Sequence, residues 1–370
     1  MKVGIVGGGQ LGRMLAIAGL PLGMRFRFLE PSADCPAAAL GEVITAPYDD
    51  PDGLDRFAAQ ISVATFEFEN VPASTADALA DRLSLAPGPR ALAVSQDRIS
   101  EKRFFRECGV PVQAFAAVST AKELDEALSA VGTPAMLKTR RMGYDGKGQR
   151  LVRSAGDAAG AWQELGKVPC ILESLVRFTA EVSLVATRGR RGGKVEWVSW
   201  PLTQNEHAHG ILRCSVAPAP CDADGALADS ARGYVRRIMD ELDYVGTMAV
   251  EFFVTDAGLV ANEMAPRVHN SGHWTIDGSA TSQFENHMRA VTSMALGPTD
   301  ALGRCAMVNL VGRAPSAAEI LAACPQAHVH LYGKHARAGR KLGHVTLVAP
   351  DQATLDASLG RLEPLCSWAV

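Results

Sequence analysis

Apolar and amphipathic stretches alternate through the first hundred residues. "KVGIVG" (2–7), "RFRFLE" (25–30), "EVITAPY" (42–48) and "SVATFEFE" (62–69) are strand-like runs, and "QLGRMLAIAGLPLG" (10–23), "PDGLDRFAAQ" (51–60) and "STADALADRL" (74–83) have helical spacing. A strand followed by a helix, repeated, predicts a parallel sheet with helices on both faces. "APGPRALAVSQDR" (86–98) reads as a turn-rich passage. "ISEKRFFRECG" (99–109) predicts a helix stopped by Gly109 and Pro111. A strand, "PVQAFAAV", then leads to a helix, "STAKELDEALSAVG", with a Ser/Thr cap and acidic first turns. "PAMLKT" is a further strand, and residues 140–270 read mainly as strands and hairpins around one long helix, "DGALADSARGYVRRIMDELD". From Ala301 onward come short strands ("AMVNLVG", "HVHLYG", "HVTLVA") and a helix near "DQATLDASLGRL", with no internal repeat and no low-complexity linker.

Length and composition narrow the class. A chain of 370 residues has room for two or three domains, and 47% hydrophobic with 21% charged residues is ordinary globular usage. Net charge is −3 without a long single-sign block, which argues against a dedicated nucleic-acid binder. No apolar stretch approaches a membrane span, and the start lacks a signal-peptide pattern, so a cytoplasmic protein is expected. The eight cysteines are scattered without C-x-x-C, as buried thiols in a reducing compartment would be. Two H-x-H pairs, His207/His209 and His328/His330, would each share a strand face and so could bind metal, though a zinc site is the less favoured reading.

Five stretches carry chemistry. Gly7, Gly9 and Gly12 fit G-x-G-x-x-G after a strand, and Glu30 closes the next apolar run where a ribose-binding carboxylate would stand. "KTRRMGYDGKGQRL" (138–151) is a second glycine loop, bracketed by strands, without the G-K-[ST] of a Walker A loop. It is either an ordinary hairpin turn or a phosphate cradle with Lys138 and Lys147 as point charges. In "MAVEFFVTDAGLVANEMAPR" (248–267) a hairpin symmetric about Ala257 sets Glu251 opposite Glu263 on one face. Opposed like charges are destabilising unless a cation such as Mg²⁺ lies between them; a slipped register is the plain alternative. "APRVHNSGHWT" (265–275) packs Arg267, His269, Asn270 and His273 into a loop suited to anions. "YGKHARAGRKLGHV" (332–345) is the densest basic cluster, with Lys334, His335, Arg337, Arg340, Lys341 and His344, and suits a phosphate ester or a solvated turn.

With "GYDGKGQ", the Glu251/Glu263 pair and "APRVHNSGHWT" together, the sequence resembles the ATP-grasp enzymes and, within them, the N5-carboxyaminoimidazole ribonucleotide synthetases of purine biosynthesis. The likeness runs from "GIVGGGQLGRML" through "TFEFENVP" to "GRKLGHV", essentially the whole chain. Many ATP-grasp enzymes have Asn two residues after the second metal Glu; Ala265 stands here, as is usual in the narrower family. The resemblance implies a mixed α/β and α+β fold. Its parts would be a Rossmann-like N-terminal domain (1–97), a two-lobed ATP-grasp module (98–298, smaller lobe about 115–185) and a small C-terminal domain (299–370).

It also implies roles. Arg98 and Lys138 would contact ATP phosphates, with Gly143, Tyr144, Asp145, Gly146, Lys147, Gly148 and Gln149 closing over them. Glu173, Ser174, Leu175 and Val176 would edge the adenine and Glu181 would hold the ribose. His207 and Asn262 would flank the nucleotide, and Glu251 and Glu263 would hold Mg²⁺. Bicarbonate would attack the γ-phosphate to give carboxyphosphate, and the amine of 5-aminoimidazole ribonucleotide (AIR) would capture the carboxyl group. Arg267, His269 and Asn270 are the candidates for the carboxyphosphate site. Gln10, Leu11, Tyr144, Asp145, His273, Lys334, Arg340 and Lys341 are candidates for AIR, with Glu67 and Glu69 as weaker ones. A homodimer is the implied assembly. The rivals are another ATP-grasp ligase, such as the formate-dependent glycinamide ribonucleotide enzyme, an NAD-dependent oxidoreductase resting on residues 4–30, and a non-catalytic nucleotide-binding relative.

Overall fold

The computed structural model describes residues 1–143 and 146–366. Tyr144 and Asp145, two expected nucleotide and AIR contacts, lie outside the described residues. Among the described residues the strands form three sheets. The first is parallel: β1 (Lys2–Val6), β2 (Arg25–Glu30), β3 (Gly41–Thr45), β4 (Val63–Phe66) and β5 (Ser84–Leu85), in the order β3-β2-β1-β4-β5. Four of five β1 residues and all four of β4 are buried, the apolar run expected of strands covered on both faces.

The second sheet is antiparallel: β6 (Phe115–Val118), β7 (Ala135–Thr139), β8 (Gln149–Val152) and β9 (Cys170–Ser174), ordered β6-β9-β7-β8. The third comprises β10 (Ala180–Arg191), β11 (Lys194–Ser199), β12 (Thr203–Ala208), β13 (Ile211–Ala217), β14 (Gly246–Thr255), β15 (Gly258–Ala265), β16 (Arg304–Val311), β17 (His328–Leu331) and β18 (Lys341–Ala349). Its order is β15-β14-β10-β12-β13-β16-β18-β17, with β11 beside β10. The C-terminal strands therefore form no sheet of their own. β16 pairs with β13, Cys214 opposite Val308, and prolongs the large sheet.

Several helices escaped the sequence reading. The "turn-rich" passage holds a helix, Pro89–Ser95, with Gly88 before it and Pro at its first position, where proline starts a helix rather than breaking one. Ala155–Glu164 and Ala317–Ala323 are helices too, each with a capping box, Ser154 with Asp157 and Ser316 with Glu319. Gln283–Val291, a stretch to which the sequence reading gave no element, is capped by Ser282 and has seven of its nine residues buried.

That last helix joins the domains. Phe284, Met288 and Val291 share one core with Val3, Ile5 and Leu15 of the N-terminal domain. Beside them the His287 ring accepts the Thr247 N–H at Nδ1 (3.0 Å), so its Nε2–H donates to Thr65 Oγ1 (2.8 Å). Thr65→Val would leave that N–H buried and unpaired. A loss of about 1–3 kcal/mol is expected in urea unfolding, and an unchanged midpoint would refute the bridge.

Candidate active site

The three sheets meet at one cavity of about 920 Å³. Among the described residues, every expected site residue lines it except Gly148. Gly148 has φ +71°, and a Cβ there would come within 2.6 Å of Thr139 Oγ1; its role is conformational.

The β14–β15 hairpin supplies the carboxylate pair, by a route the sequence reading did not foresee. Thr255 pairs with Gly258 across a two-residue turn, a register that would set Glu251 opposite Asn262. A bulge beside Glu251 and Phe252 inserts Asn262 as an extra residue and brings Glu263 opposite Glu251. Burial, then the Glu263 charge, pushes the Glu251 carboxyl up to about 7. Glu263 is held below its usual range: burial raises it, but the charges of Arg98 and then Lys138 outweigh that. Arg98 Nη1 lies 3.0 Å from Glu263 Oε2.

Lys138 projects from β7 and donates to Glu173 Oε2 at 2.6 Å. Glu173 is 1% exposed and its carboxylate pairs with the lysine, while Glu173, Ser174, Leu175 and Val176 all line the cavity. Two residues missed in the sequence, Phe178 and Phe253, stack with centroids 4.8 Å apart on the cavity wall. Phe253 lies two positions after Glu251 on one strand, so alternation alone could have placed it. His207 Nδ1 lies 3.0 Å from Glu181 Oε2.

In the 267–273 loop, the Arg267 guanidinium holds both oxygens of Glu69, which lines the cavity as that pair's partner. The His269 Nδ1 receives the Ser271 N–H (3.3 Å) and lies 2.9 Å from Ser271 Oγ. Nδ1 is thus the acceptor, and Nε2 carries the proton toward Glu251 Oε1 at 3.4 Å. Burial, then Arg267 and Lys341, pushes His269 down to about 3, so the ring is neutral. Both side-chain polar atoms of Asn270 are buried without a hydrogen-bond partner among the described residues, an amide open to a ligand. His273 is 1% exposed and its Nδ1 accepts from Gln283 Nε2 (3.2 Å); it is a wall rather than a free ligand.

At the other end, Lys334 contacts Gln10 Oε1, joining two expected phosphate contacts from opposite ends of the chain. Burial lowers Lys334 to about 8. Glu67 lines the cavity with its carboxylate bound to backbone. Its oxygens accept the N–H groups of Gly9 (2.6 Å) and Gly12 (2.7 Å) and fill the N-terminus of the helix Gln10–Gly19. Glu30 accepts from Gly8 N (2.9 Å) and Tyr48 Oη (3.0 Å), so the dinucleotide fingerprint is closed by the chain's own carboxylates. His344, counted in the basic cluster, is buried, with Nδ1 2.7 Å from Tyr332 Oη. His328 and His330 face Asp277 (3.6 and 2.8 Å), and among the described residues no three His, Cys, Asp or Glu side chains are grouped to hold a metal ion. No helix of the described residues is long and apolar enough to cross a membrane.

Comparison with known proteins agrees with this geometry. Three family profiles match in sequence order: a ribonucleotide synthetase preATP-grasp domain over residues 1–96, an ATP-grasp domain over 103–284, and a phosphoribosylaminoimidazole carboxylase C-terminal domain over 305–358. An N5-carboxyaminoimidazole ribonucleotide synthase from Pseudomonas aeruginosa is 50% identical over 365 residues, 99% of each chain. The crystal structure of N5-carboxyaminoimidazole ribonucleotide synthetase from Thermus thermophilus superposes with TM-score 0.93 at 50% identity, covering 99% of this chain and 98% of that one. The Aspergillus clavatus synthase, solved with ADP and 5-aminoimidazole ribonucleotide, superposes with TM-score 0.89 at 28% identity over 99% of this chain and 97% of that one. The chain belongs to the N5-carboxyaminoimidazole ribonucleotide synthase family of ATP-grasp proteins.

Proposed function

We propose that this chain carboxylates the amino group of AIR with ATP and bicarbonate, giving N5-carboxyaminoimidazole ribonucleotide, ADP and phosphate in purine biosynthesis. One observation carries the reading. A single cavity joins a nucleotide-phosphate end (Arg98, Lys138), an opposed carboxylate pair and a basic end (Lys334, Arg340, Lys341), and holds the unpartnered Asn270 amide. Family membership supports the choice of substrates.

Glu251 and Glu263, opposed on one face with the Glu251 carboxyl raised by burial and then by Glu263, have the donor set of a hard divalent cation. They would hold Mg²⁺, which when bound neutralises phosphate charge. Lys138, aimed by Glu173, and Arg98 neutralise the polyphosphate from the protein side. A bicarbonate oxygen attacks the γ-phosphorus, the bond to ADP breaks, and carboxyphosphate forms. The AIR amine then takes the carboxyl group, directly or as CO₂, and phosphate and the amine proton leave. His269 stays neutral, so it offers Nε2–H as a donor without taking a proton, and Asn270 adds a donor and an acceptor to orient the oxyanion. The reading extends, on family membership alone, to a homodimer working in the cytoplasm, with Gly143, Gly146, Lys147 and Gln149 at the nucleotide phosphates.

ADP release with MgATP and bicarbonate tests the reading. It is expected to rise strongly when AIR is added. No response to AIR, or an equal response to glycinamide ribonucleotide with formate, would overturn it.

A further inference from the structure

β15, which carries Glu263, is an edge strand of the large sheet. Its inner side pairs with β14, while its outward backbone groups face the helix Arg98–Glu107 and the segment after it. There Ala261 N–H donates to Pro111 O (2.8 Å), and Lys102 Nζ donates to two successive carbonyls, Ala261 O (3.0 Å) and Asn262 O (2.5 Å). Met264 N–H donates to Glu101 Oε1 (2.7 Å). Arg98, Glu101 and Lys102 stand at i, i+3 and i+4 of one helix and so share a face. Together they hold the Glu263 carboxylate and the backbone on either side of it.

The two carbonyls that Lys102 takes belong to the bulge, where a ladder leaves backbone groups unpaired. Lys102 is 0% exposed, and Glu101 is 2% exposed. An apolar side chain of similar length would fill the same space without burying a charge, but it would leave two carbonyls unsatisfied. The same ammonium reaches the smaller lobe: Nζ lies 3.3 Å from Gln113 Oε1 and 3.7 Å from Glu173 Oε1. Gln113 Nε2 donates to Glu173 Oε2 (3.0 Å), the oxygen that holds Lys138.

We propose that Lys102, with Glu101, is a positioning residue of the phosphate site: it fixes the bulge that sets Glu263 against Glu251 and ties it to the Glu173–Lys138 pair of the other lobe. The inference rests on the reading of Glu251 and Glu263 as cation ligands. Without the Lys102 ammonium the bulge loses its cross-lobe anchor, and the carboxylate pair loses its fixed spacing.

The test uses the full chain with Mn²⁺ and ADP as probes, read by electron paramagnetic resonance. Lys102→Met, with circular dichroism showing a native fold, is expected to weaken Mn²⁺ binding about tenfold while the KM for AIR stays unchanged. Glu263→Gln is titrated alongside. If Glu263→Gln weakens Mn²⁺ binding and Lys102→Met does not, the positioning role is overturned and the cation reading stands. If Glu263→Gln binds Mn²⁺ as the parent does, the cation reading falls, and the proposal with it. If Lys102→Met does not fold, the comparison passes to Glu101→Gln, which keeps an acceptor for Met264 N–H, and Glu101→Leu, which does not. Weaker Mn²⁺ binding in the Leu variant alone supports the proposal, and equal binding in the two overturns it.

Discussion

Glu263→Gln is expected to form ADP about a thousandfold more slowly than the parent chain, on the order of 4 kcal/mol of lost transition-state stabilisation, while AIR still binds. The carboxylate has two neighbours of opposite consequence. Arg98 lies 3.0 Å from Oε2, and Glu251 stands directly across the ladder. An amide keeps the shape and removes the charge. Arg98 then loses its partner, and Glu251 loses the repulsion that helps hold its carboxyl at about 7. The basic end formed by Lys334, Arg340 and Lys341 is untouched by the change, which is why AIR affinity should persist. Steady-state ADP release and calorimetric titration with AIR check the two halves. Normal turnover would refute the cation assignment, and loss of AIR binding would mean the two ends are not separable.

Glu173→Gln should act first on stability. Burial raises a carboxyl in that place, yet the charges of Lys102, then Lys138, bring Glu173 down to about 2. The sign follows from linkage. A depressed carboxyl contributes its stability in full above the unfolded value and loses it as the pH falls through the folded one. From about 4.5 to about 2, the contribution is about 3 kcal/mol, present at neutral pH and fading below pH 4.5. The variant also leaves Lys102 buried without a full counter-charge. A loss of about 3–5 kcal/mol is expected in urea unfolding at pH 7, narrowing as the pH is lowered from 4.5 toward 2. A difference that stays constant with pH would show that Glu173 is not the ionised partner.

The parallel sheet was legible because β1 and β4 are apolar apart from Lys2 and Thr65 and each is followed by a helical pattern. The carboxylate pair was legible too, though through two departures that cancel. The turn is one residue shorter than symmetry about Ala257 requires, and the bulge at Asn262 restores the register. A bulge has no signature in a strand pattern; it shows only when the opposite strand is known. The short helices announced themselves in capping boxes, Ser154 with Asp157 and Ser316 with Glu319, where glycine, proline and alanine had suggested turns or nothing. Glu101 and Lys102 were invisible for another reason. Charged residues are read as solvated surface, and only the fold reveals that these lie on the buried face of their helix. Glu67 was placed near the site, but its engagement with Gly9 and Gly12 joins residues 55 or more positions apart.

The continuity of the large sheet puts residues from distant parts of the chain in one frame. Glu263, Glu251, Glu181, His207 and Lys341 stand on β15, β14, β10, β12 and β18, strands of one hydrogen-bonded sheet. Lys138 stands on β7 of another sheet, with the glycine loop on the strand connection beside it. The carboxylates and Lys341 are thus tied by one hydrogen-bonded ladder, and Lys138 is not part of it. On the reading proposed here, Lys138 comes from outside that frame to meet carboxylates and a lysine whose places one ladder of strands has already set.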